Sequence, residues 1–451
     1  MTALEQLGSF VAGSPSASDA VREMFQLHLI DTVAAWIAGT ATTEGQALLR
    51  FRAAMQGGGH AGDALSLDLS TRCALVRLSE IDDIHLPSMT TPGGIVIPAA
   101  LTLAGAMPAV KADDVIAAIL AGYEAMTRLG RAIDGPTALY RGIWPTYFAA
   151  PFGVAAVAAR LLKLGEQQAA NALALALTFA APGVGHHNAA TTSRWFAIGN
   201  AAGNGLAAAL AAQEGFTSDL KLAESSFLSG IYNLKPDTAA LTDGLGDGTV
   251  LSEVSFKPWC AARQTMAATQ ALKEIIESGV APESITEISA SVLPPHLKMI
   301  DHGVVAGDRA SHLTSLPYCM AIAAVAPDMA FDVQQSPVDL PTTVRSFMST
   351  IKVEADESLL VDYPRSWRAR VTVVAGPDRH ERLVSHTPGD PARAFDRARV
   401  REKFLRFVAP VIEAEEAERI LVRCGDVLVD GRFELLMEDI GAICRVRSLA
   451  T

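Results

Sequence analysis

Apolar side chains recur at helical spacing through the first half of the chain. A cap at Ser18-Asp19 is followed by apolar positions every three or four residues until Gly39. Further helices, several of them rich in alanine, are predicted over residues 43–57, 113–133, 146–162, 165–181 and 194–213. Because so many Ala-rich helices must bury their faces against each other, the pattern predicts a helical domain up to about residue 235.

The pattern changes after about residue 255. Short runs that alternate or carry β-branched residues predict strands over residues 285–293, 351–355, 367–375 and 381–385. Helical stretches are predicted between them, over residues 263–278 and 312–326. Helices return near the end of the chain, over residues 394–407, 413–422 and 433–443.

These patterns predict a mainly α fold with two parts. Residues 1–256 and 392–451 are expected to form one large all-helical domain, because the final block is too small to fold alone. Residues 257–391 are expected to form a smaller α+β domain.

Composition and charge exclude several classes of protein and of binding partner. Of 451 residues, 50% are hydrophobic but only 6% are aromatic, which excludes a disordered chain. The formal net charge of −12 argues against nucleic acid and anionic membranes as partners. The uncharged stretches 84–110 and 167–193 are broken by Gly and Pro, so buried segments are expected rather than membrane spans. With five scattered cysteines and no secretory signal pattern, a cytoplasmic protein is expected.

Common motifs for nucleotides, serine nucleophiles and metals are missing from the sequence. There is no GxGxxG after a predicted strand, no Walker A motif, no GxSxG and no HExxH. His186 and His187 are adjacent rather than spaced along one helix face, which favours a loop over a metal site.

The segment from Glu80 to Gly94 contains several acidic, imidazole and hydroxyl side chains within an otherwise apolar part of the chain. It contains Asp82, Asp83 and His85, then hydroxyl residues, then a Pro-Gly-Gly turn into an apolar helix. Amides at that helix N-terminus could hold a substrate carboxylate. Alternatively, the acids are capping or solvated groups, and a metal site at these three residues is a less favoured alternative.

Other candidates stand alone in the sequence. Lys257 lies beside an aromatic residue where the pattern changes; buried, it would serve as a base or a carboxylate anchor, and otherwise it is a surface lysine. Tyr318 on an apolar helix is either a functional hydroxyl or a core residue with its hydroxyl bonded. Arg194 opens a Gly/Ala-rich helix, and Arg141 and Trp144 share an aromatic, basic turn.

Taken together, these segments resemble the MmgE/PrpD family, which includes 2-methylcitrate dehydratase, cis-aconitate decarboxylase and iminodisuccinate epimerase. The resemblance is carried by the order and spacing of several short matches: Asp31-Thr32-Val33-Ala34, Ile81-Asp82-Asp83, Pro92 to Pro98, Gly122-Tyr123-Glu124, Gly199-Asn200-Ala201-Ala202, Phe256-Lys257-Pro258 and Ser315-Leu316-Pro317-Tyr318. It implies a large helical domain, an α+β lid domain, a cleft between them, a homodimer, and no metal or organic cofactor.

The resemblance also implies which residues form the site, and three of the family's histidines are replaced in this sequence. The family's acidic pair falls on Asp82 and Asp83, its lysine or arginine on Arg194, its hinge lysine on Lys257 and its tyrosine on Tyr318. Three positions where the family carries histidine are Thr91, Trp144 and Ala262 here. Since histidines suit proton transfer near neutral pH, their loss points away from 2-methylcitrate and cis-aconitate as substrates.

We therefore predict a cofactor-independent lyase that removes a proton next to a carboxylate or carbonyl of a small carboxylate substrate. Lys257 or His85 would be the base, and Tyr318 a proton donor. Arg194 would hold a carboxylate, and Asp82 and Asp83 would orient the base. The remaining candidates for contact with substrate are Thr91, Trp144, Arg263 and Arg141. An epimerase and a non-catalytic binding protein are the alternatives.

Overall fold

The computed structural model describes residues 1–13, 17–57, 64–107, 110–180 and 191–449. The chain divides into two compact units. The helical unit comprises Met1–Gly185, Thr192–Val254 and Asp396–Thr451, and the middle unit comprises His186–Thr191 and Ser255–Phe395. The predicted pair His186-His187 lies outside the described residues.

The helical unit begins with a run of helices. In chain order they are α1 (Ala3–Gly13), α2 (Asp19–Gly39), α3 (Thr43–Gly57), α4 (Ala64–Leu78), α5 (Gly93–Ala106), α6 (Ala112–Ala132), α7 (Gly135–Tyr140), α8 (Pro145–Leu161), α9 (Glu166–Thr178) and α10 (Ser193–Gln213). Helix α8 packs against α6, α9 and α10, and α10 also packs on α4. The Ser18 hydroxyl accepts from the Val21 amide, so the predicted cap of α2 is confirmed.

The middle unit combines helices with one small sheet. Its helices are α11 (Arg263–Glu277), α12 (Pro294–Ile300), α13 (Arg309–Thr314), α14 (Leu316–Val325) and α15 (Thr342–Met348). Its strands are β1 (Ile285–Val292), β2 (Ile351–Ala355), β3 (Ala369–Ala375) and β4 (Asp378–Val384). The sheet order is β2-β1-β3-β4; β1 pairs parallel with β2 and antiparallel with β3, and β3 and β4 form a hairpin.

The helical stretch predicted over residues 312–326 is helical but is interrupted at Ser315. Two helices, α13 and α14, meet at Ser315, whose backbone is extended. Pro317 occupies the first turn of α14, where it needs no amide partner, and the Ser315 hydroxyl accepts from the Tyr318 amide. Proline and the serine cap therefore start a new helix at this point.

The chain ends with three more helices, α16 (Arg397–Val408), α17 (Ala414–Asp430) and α18 (Phe433–Leu449). Helix α16 and α17 pack on α2, and α18 packs on α3 and α5. Both ends of the chain thus contribute to the helical unit. The predicted mainly helical fold with a small sheet in the C-terminal half is confirmed. Among the described helices, none has the length and apolar character needed to cross a bilayer.

Candidate functional site

Asp83 is held at the start of α5 by three hydrogen bonds. Its carboxylate accepts from the Gly93 amide at 2.8 Å and from the Tyr123 hydroxyl at 2.7 Å, and it lies 3.0 Å from His28 Nδ1. The side chain is 2% exposed. Burial and the Asp83 charge raise the pKa of Tyr123, which stays a donor. The first amide of α5 is thus occupied by a carboxylate of the protein itself, which supports the capping alternative for this residue.

Asp82 has a different partner. Its fully buried carboxylate accepts from Arg77 Nη1 at 2.6 Å, and Arg77 Nη2 also contacts Glu80 at 3.0 Å. Burial alone would lower the pKa of the Arg77 guanidinium, but the carboxylates of Asp82 and Glu80 outweigh it and raise that pKa. The pair is therefore charged in a site of low dielectric, where its field on nearby groups is strong.

Two glycines let the acidic pair approach the first turn of α5. A Cβ on Gly93 would lie 2.5 Å from Asp83 Oδ2 and 2.6 Å from the Tyr123 hydroxyl. A Cβ on Gly94 would lie 2.7 Å from Asp82 Oδ2 and 3.1 Å from Arg77 Cδ. The glycines of the Pro-Gly-Gly turn are thus required by packing against these carboxylates.

Replacing Gly94 with alanine is expected to destabilise the protein by about 1–3 kcal/mol, because the added methyl group displaces the buried Asp82–Arg77 pair. Gly105→Ala is the matched control on the same helix, since its Cβ would meet only the flexible Met437 side chain, at 3.3 Å. Urea unfolding of both variants measures the effect. Equal stability of the two variants would contradict the proposed packing.

His85 is completely buried, and both of its ring nitrogens are engaged. Nδ1 lies 2.8 Å from the Ser88 hydroxyl, and Nε2 lies 3.2 Å from Glu253 and 3.1 Å from Arg131 Nη2. Burial, aided by Arg131, lowers the pKa of His85 although Glu253 opposes this. The carboxylate hydrogen-bonded to His85 is thus Glu253, whereas Asp83 is held by other partners. The contacts of Asp83 with Gly93, Tyr123 and His28 favour a structural role for it over the predicted role in orienting His85 or Lys257.

Thr91, Trp144 and Arg194 lie around the start of α8. The amide and hydroxyl of Thr91 lie 3.1 and 3.2 Å from the Thr146 hydroxyl. The Arg194 guanidinium lies 4.8 Å from the ring centre of Trp144 and 5.5 Å from that of Trp195. These distances are typical of cation–π contacts.

Arg141 is placed differently from these residues. It is exposed, and its Nη2 donates to the Asn233 carbonyl at 2.7 Å. This contact ties two loops of the helical unit together, which favours a structural role for Arg141 over substrate binding.

Tyr147 belongs to the same region and was not predicted from the sequence. Its side chain is 2% exposed, and its ring meets Trp144 edge-to-face with centroids 5.7 Å apart. Burial raises the pKa of its hydroxyl to about 12, and the nearby charges of Arg77, Arg194, Glu80 and Asp82 act on the same group. A tyrosine inside an apolar helix gives no sequence signal that separates it from a core residue.

Lys257 and Tyr318 both lie in the middle unit. Lys257 is 2% exposed, so the alternative of a surface lysine is wrong. Tyr318 is completely buried and donates to Gln335 Oε1 at 2.8 Å, and Gln335 Nε2 donates to the Cys260 carbonyl at 3.3 Å. Burial raises the pKa of Tyr318, which therefore stays protonated. Gln335, which connects Tyr318 to the turn that follows Lys257, was not predicted.

Arg263 has a fixed partner in the same unit. Its Nη2 lies 2.8 Å from both carboxylate oxygens of Asp390, and the two side chains are 1% and 2% exposed. Burial would raise the pKa of Asp390, but Arg263 outweighs it and holds that pKa below its usual range. The guanidinium also lies 5.6 Å from the Trp367 ring centre. This geometry favours a structural role for Arg263 over the predicted contact with substrate.

His296 packs beside this pair, with its ring 4.8 Å from that of Trp367. Burial, aided by the Arg263 charge, lowers the pKa of His296 to about 3. In the unfolded chain His296 is protonated near pH 6.5, whereas in the folded protein it is protonated only near pH 3. The free energy of unfolding therefore falls as the pH drops from about 6.5 towards 3. His296→Phe is expected to remove about 2 kcal/mol of the stability lost between pH 7 and pH 5.

Urea unfolding at the two pH values measures this difference. The control is His380→Phe on β4, where the side chain is only partly buried. If His296→Phe loses as much unfolding free energy between pH 7 and pH 5 as the unaltered protein does, then His296 is not the cause of that loss.

Metal ligation has no support within the described ranges, where no cluster of three or more His, Cys, Asp or Glu side chains is arranged to hold an ion.

Two family models match the chain. The MmgE/PrpD N-terminal domain matches residues 5–235, and the MmgE/PrpD C-terminal domain matches residues 259–426. A comparison with curated proteins finds no match. The resemblance inferred from short motifs is thereby confirmed. Such membership suggests an enzyme of the dehydratase or related lyase type that acts on small carboxylates. The two matches cover most of the sequence, and the chain belongs to the MmgE/PrpD family.

Proposed function

We propose that the protein is a cofactor-independent lyase of a small carboxylate, of the dehydratase or decarboxylase type. A dehydratase removes the proton next to a carboxylate and expels hydroxide from the neighbouring carbon, whereas a decarboxylase expels carbon dioxide and returns a proton to the carbanion that is left. The observation that carries the proposal is the retention of Lys257 and Tyr318, both buried in the middle unit, in a member of this family. Gln335 joins Tyr318 to the Cys260 carbonyl, three residues after Lys257.

The proton acceptor is Lys257 or His85. A lysine in a buried site is an established kind of general base. The lowered pKa of His85 leaves its imidazole neutral near pH 7, so it can accept a proton, although Ser88, Glu253 and Arg131 already contact its nitrogens.

The remaining groups bind substrate and stabilise charge. Tyr318 stays protonated and is the proton donor to the leaving group or to the enolate oxygen. Arg194, 6% exposed and stacked on Trp144, holds a substrate carboxylate. Asp82 acts through Arg77, which it keeps in place. The reaction as proposed needs no metal, because cations and donors of the chain itself can stabilise an enolate.

A substrate panel tests this proposal. The purified protein is incubated with hydroxy acids, di- and tricarboxylates and amino dicarboxylates, and products are followed by proton NMR and optical rotation. New vinyl signals, or loss of carbon dioxide, are expected for at least one compound. A change of optical rotation without vinyl signals would instead show an epimerase. Silence across the panel, in a folded protein, would favour a binding protein without catalysis.

A further inference from the structure

Two buried hydrogen-bond donors belong to neighbouring aromatic rings near the start of α8. The Trp144 indole nitrogen and the Tyr147 hydroxyl are both inaccessible to solvent, and no hydrogen-bond partner for either atom exists among the described residues. The two rings are in edge-to-face contact, with centroids 5.7 Å apart. Since buried polar groups are nearly always paired, two such donors together suggest a ligand.

A buried cation lies next to these donors. The Arg194 guanidinium is packed on the Trp144 face at 4.8 Å and near the Trp195 face at 5.5 Å, and the residue is 6% exposed. Its charge also acts on the Tyr147 hydroxyl. Because Arg194 is shielded from bulk water, any contact that its guanidinium makes with an anion is strengthened.

The chemistry of this group of three side chains selects its ligand. Arginine and the indole nitrogen can only donate hydrogen bonds, and burial keeps the Tyr147 hydroxyl protonated, so it can donate as well. A carboxylate offers only acceptor oxygens, with about four lone-pair sites. An amide or alcohol would bring donors that find no acceptor among these three side chains.

We propose that Tyr147, Trp144 and Arg194 together bind one carboxylate group of the ligand. Tyr147 and Trp144 are specificity-determining residues here, and they bind without removing a proton, because none of the three groups is a base. The inference deepens the proposed function and rests on it only for the identity of the ligand as a small carboxylate.

Binding of simple carboxylates tests the proposal without any need for turnover. Acetate, malonate and succinate are titrated into the full-length protein, and binding is followed by tryptophan fluorescence and calorimetry. At least one is expected to bind saturably, while the neutral analogue succinamide does not. Tyr147→Phe and Trp144→Phe should each weaken binding about ten- to a hundredfold, since each removes one donor to a charged ligand.

Stability gives a second, independent readout. Tyr147→Phe removes a buried hydroxyl that has no partner, so its Tm should stay the same or rise. The matched control is Tyr232→Phe in the same unit, whose hydroxyl donates to the Ala180 carbonyl at 3.2 Å. That variant should lose some stability and keep the affinity for carboxylates.

Three results would overturn the inference: no saturable binding of any of the three carboxylates, equal binding of succinamide, or unchanged affinity in Tyr147→Phe. A lower Tm for Tyr147→Phe would also count against it, because the hydroxyl would then have a partner within the protein. Carboxylate binding without any reaction would support the carboxylate site and contradict the proposed lyase activity. Turnover with an unchanged KM in Tyr147→Phe would support the lyase activity and contradict the role of Tyr147 in the carboxylate site.

Discussion

Replacing Lys403 with methionine is expected to lower the free energy of unfolding by about 3–5 kcal/mol. The Lys403 ammonium on α16 contacts Asp31 on α2 and donates to the Ile81 carbonyl at 2.7 Å. The two charged side chains are 4% and 1% exposed. Burial raises the pKa of Asp31, and Lys403 is the cation that offsets this. Its removal would leave a buried carboxylate near Asp83 without compensation.

Urea unfolding at pH 7 measures the loss, and a neighbouring charge on α16 provides the control. Arg399 is 67% exposed and pairs with Glu402, so Arg399→Met should change stability by less than about 1 kcal/mol. Adding Asp31→Asn to Lys403→Met should restore part of the loss, because the uncompensated charge is then gone. A loss in Lys403→Met no larger than in Arg399→Met would contradict the importance of this ion pair.

Replacing Lys257 with alanine is expected to lower kcat by about a hundred- to ten-thousandfold on the substrate that the panel identifies. The reason is that a general base in a buried site has no substitute once its amine is removed. Because a buried side chain is truncated, thermal unfolding must accompany the kinetic measurement. A variant that retains most of its activity would exclude Lys257 as the base.

Lys257→Arg separates the two roles that a buried lysine can have. Arginine cannot be deprotonated in a protein, so it cannot act as a base, but it binds carboxylates well. If Lys257 is the base, the arginine variant should be as inactive as the alanine variant. If Lys257 only anchors a carboxylate, the arginine variant should keep much of kcat and change mainly KM.

Local sequence patterns predicted most of the fold. The predicted strand over residues 351–355 is β2, and the predicted helix over 263–278 is α11, because period and composition are local properties. The helical stretch predicted over 312–326 is divided at Ser315, because Pro317 and the Ser315 cap start a new helix there. Helix α15 has only seven residues, too few to show a helical period, and was not predicted.

The candidate site was predicted only as far as its members are close in sequence. Asp82, Asp83 and His85 lie within four positions, so their grouping was visible in the sequence. Their partners come from distant segments, such as Glu253 for His85 and His28 for Asp83. Partners brought together by tertiary packing leave no local pattern, and for the same reason Tyr147 and Gln335 were missed.

The most direct test of the central claim is proton exchange at carbon. The protein is incubated in D₂O with the carboxylate panel, and the signals of the C–H groups next to each carboxylate are followed by proton NMR. The account predicts that at least one such signal disappears with the unaltered protein and persists with Lys257→Ala. Persistence of every such signal with the unaltered, folded protein would contradict proton abstraction next to a carboxylate.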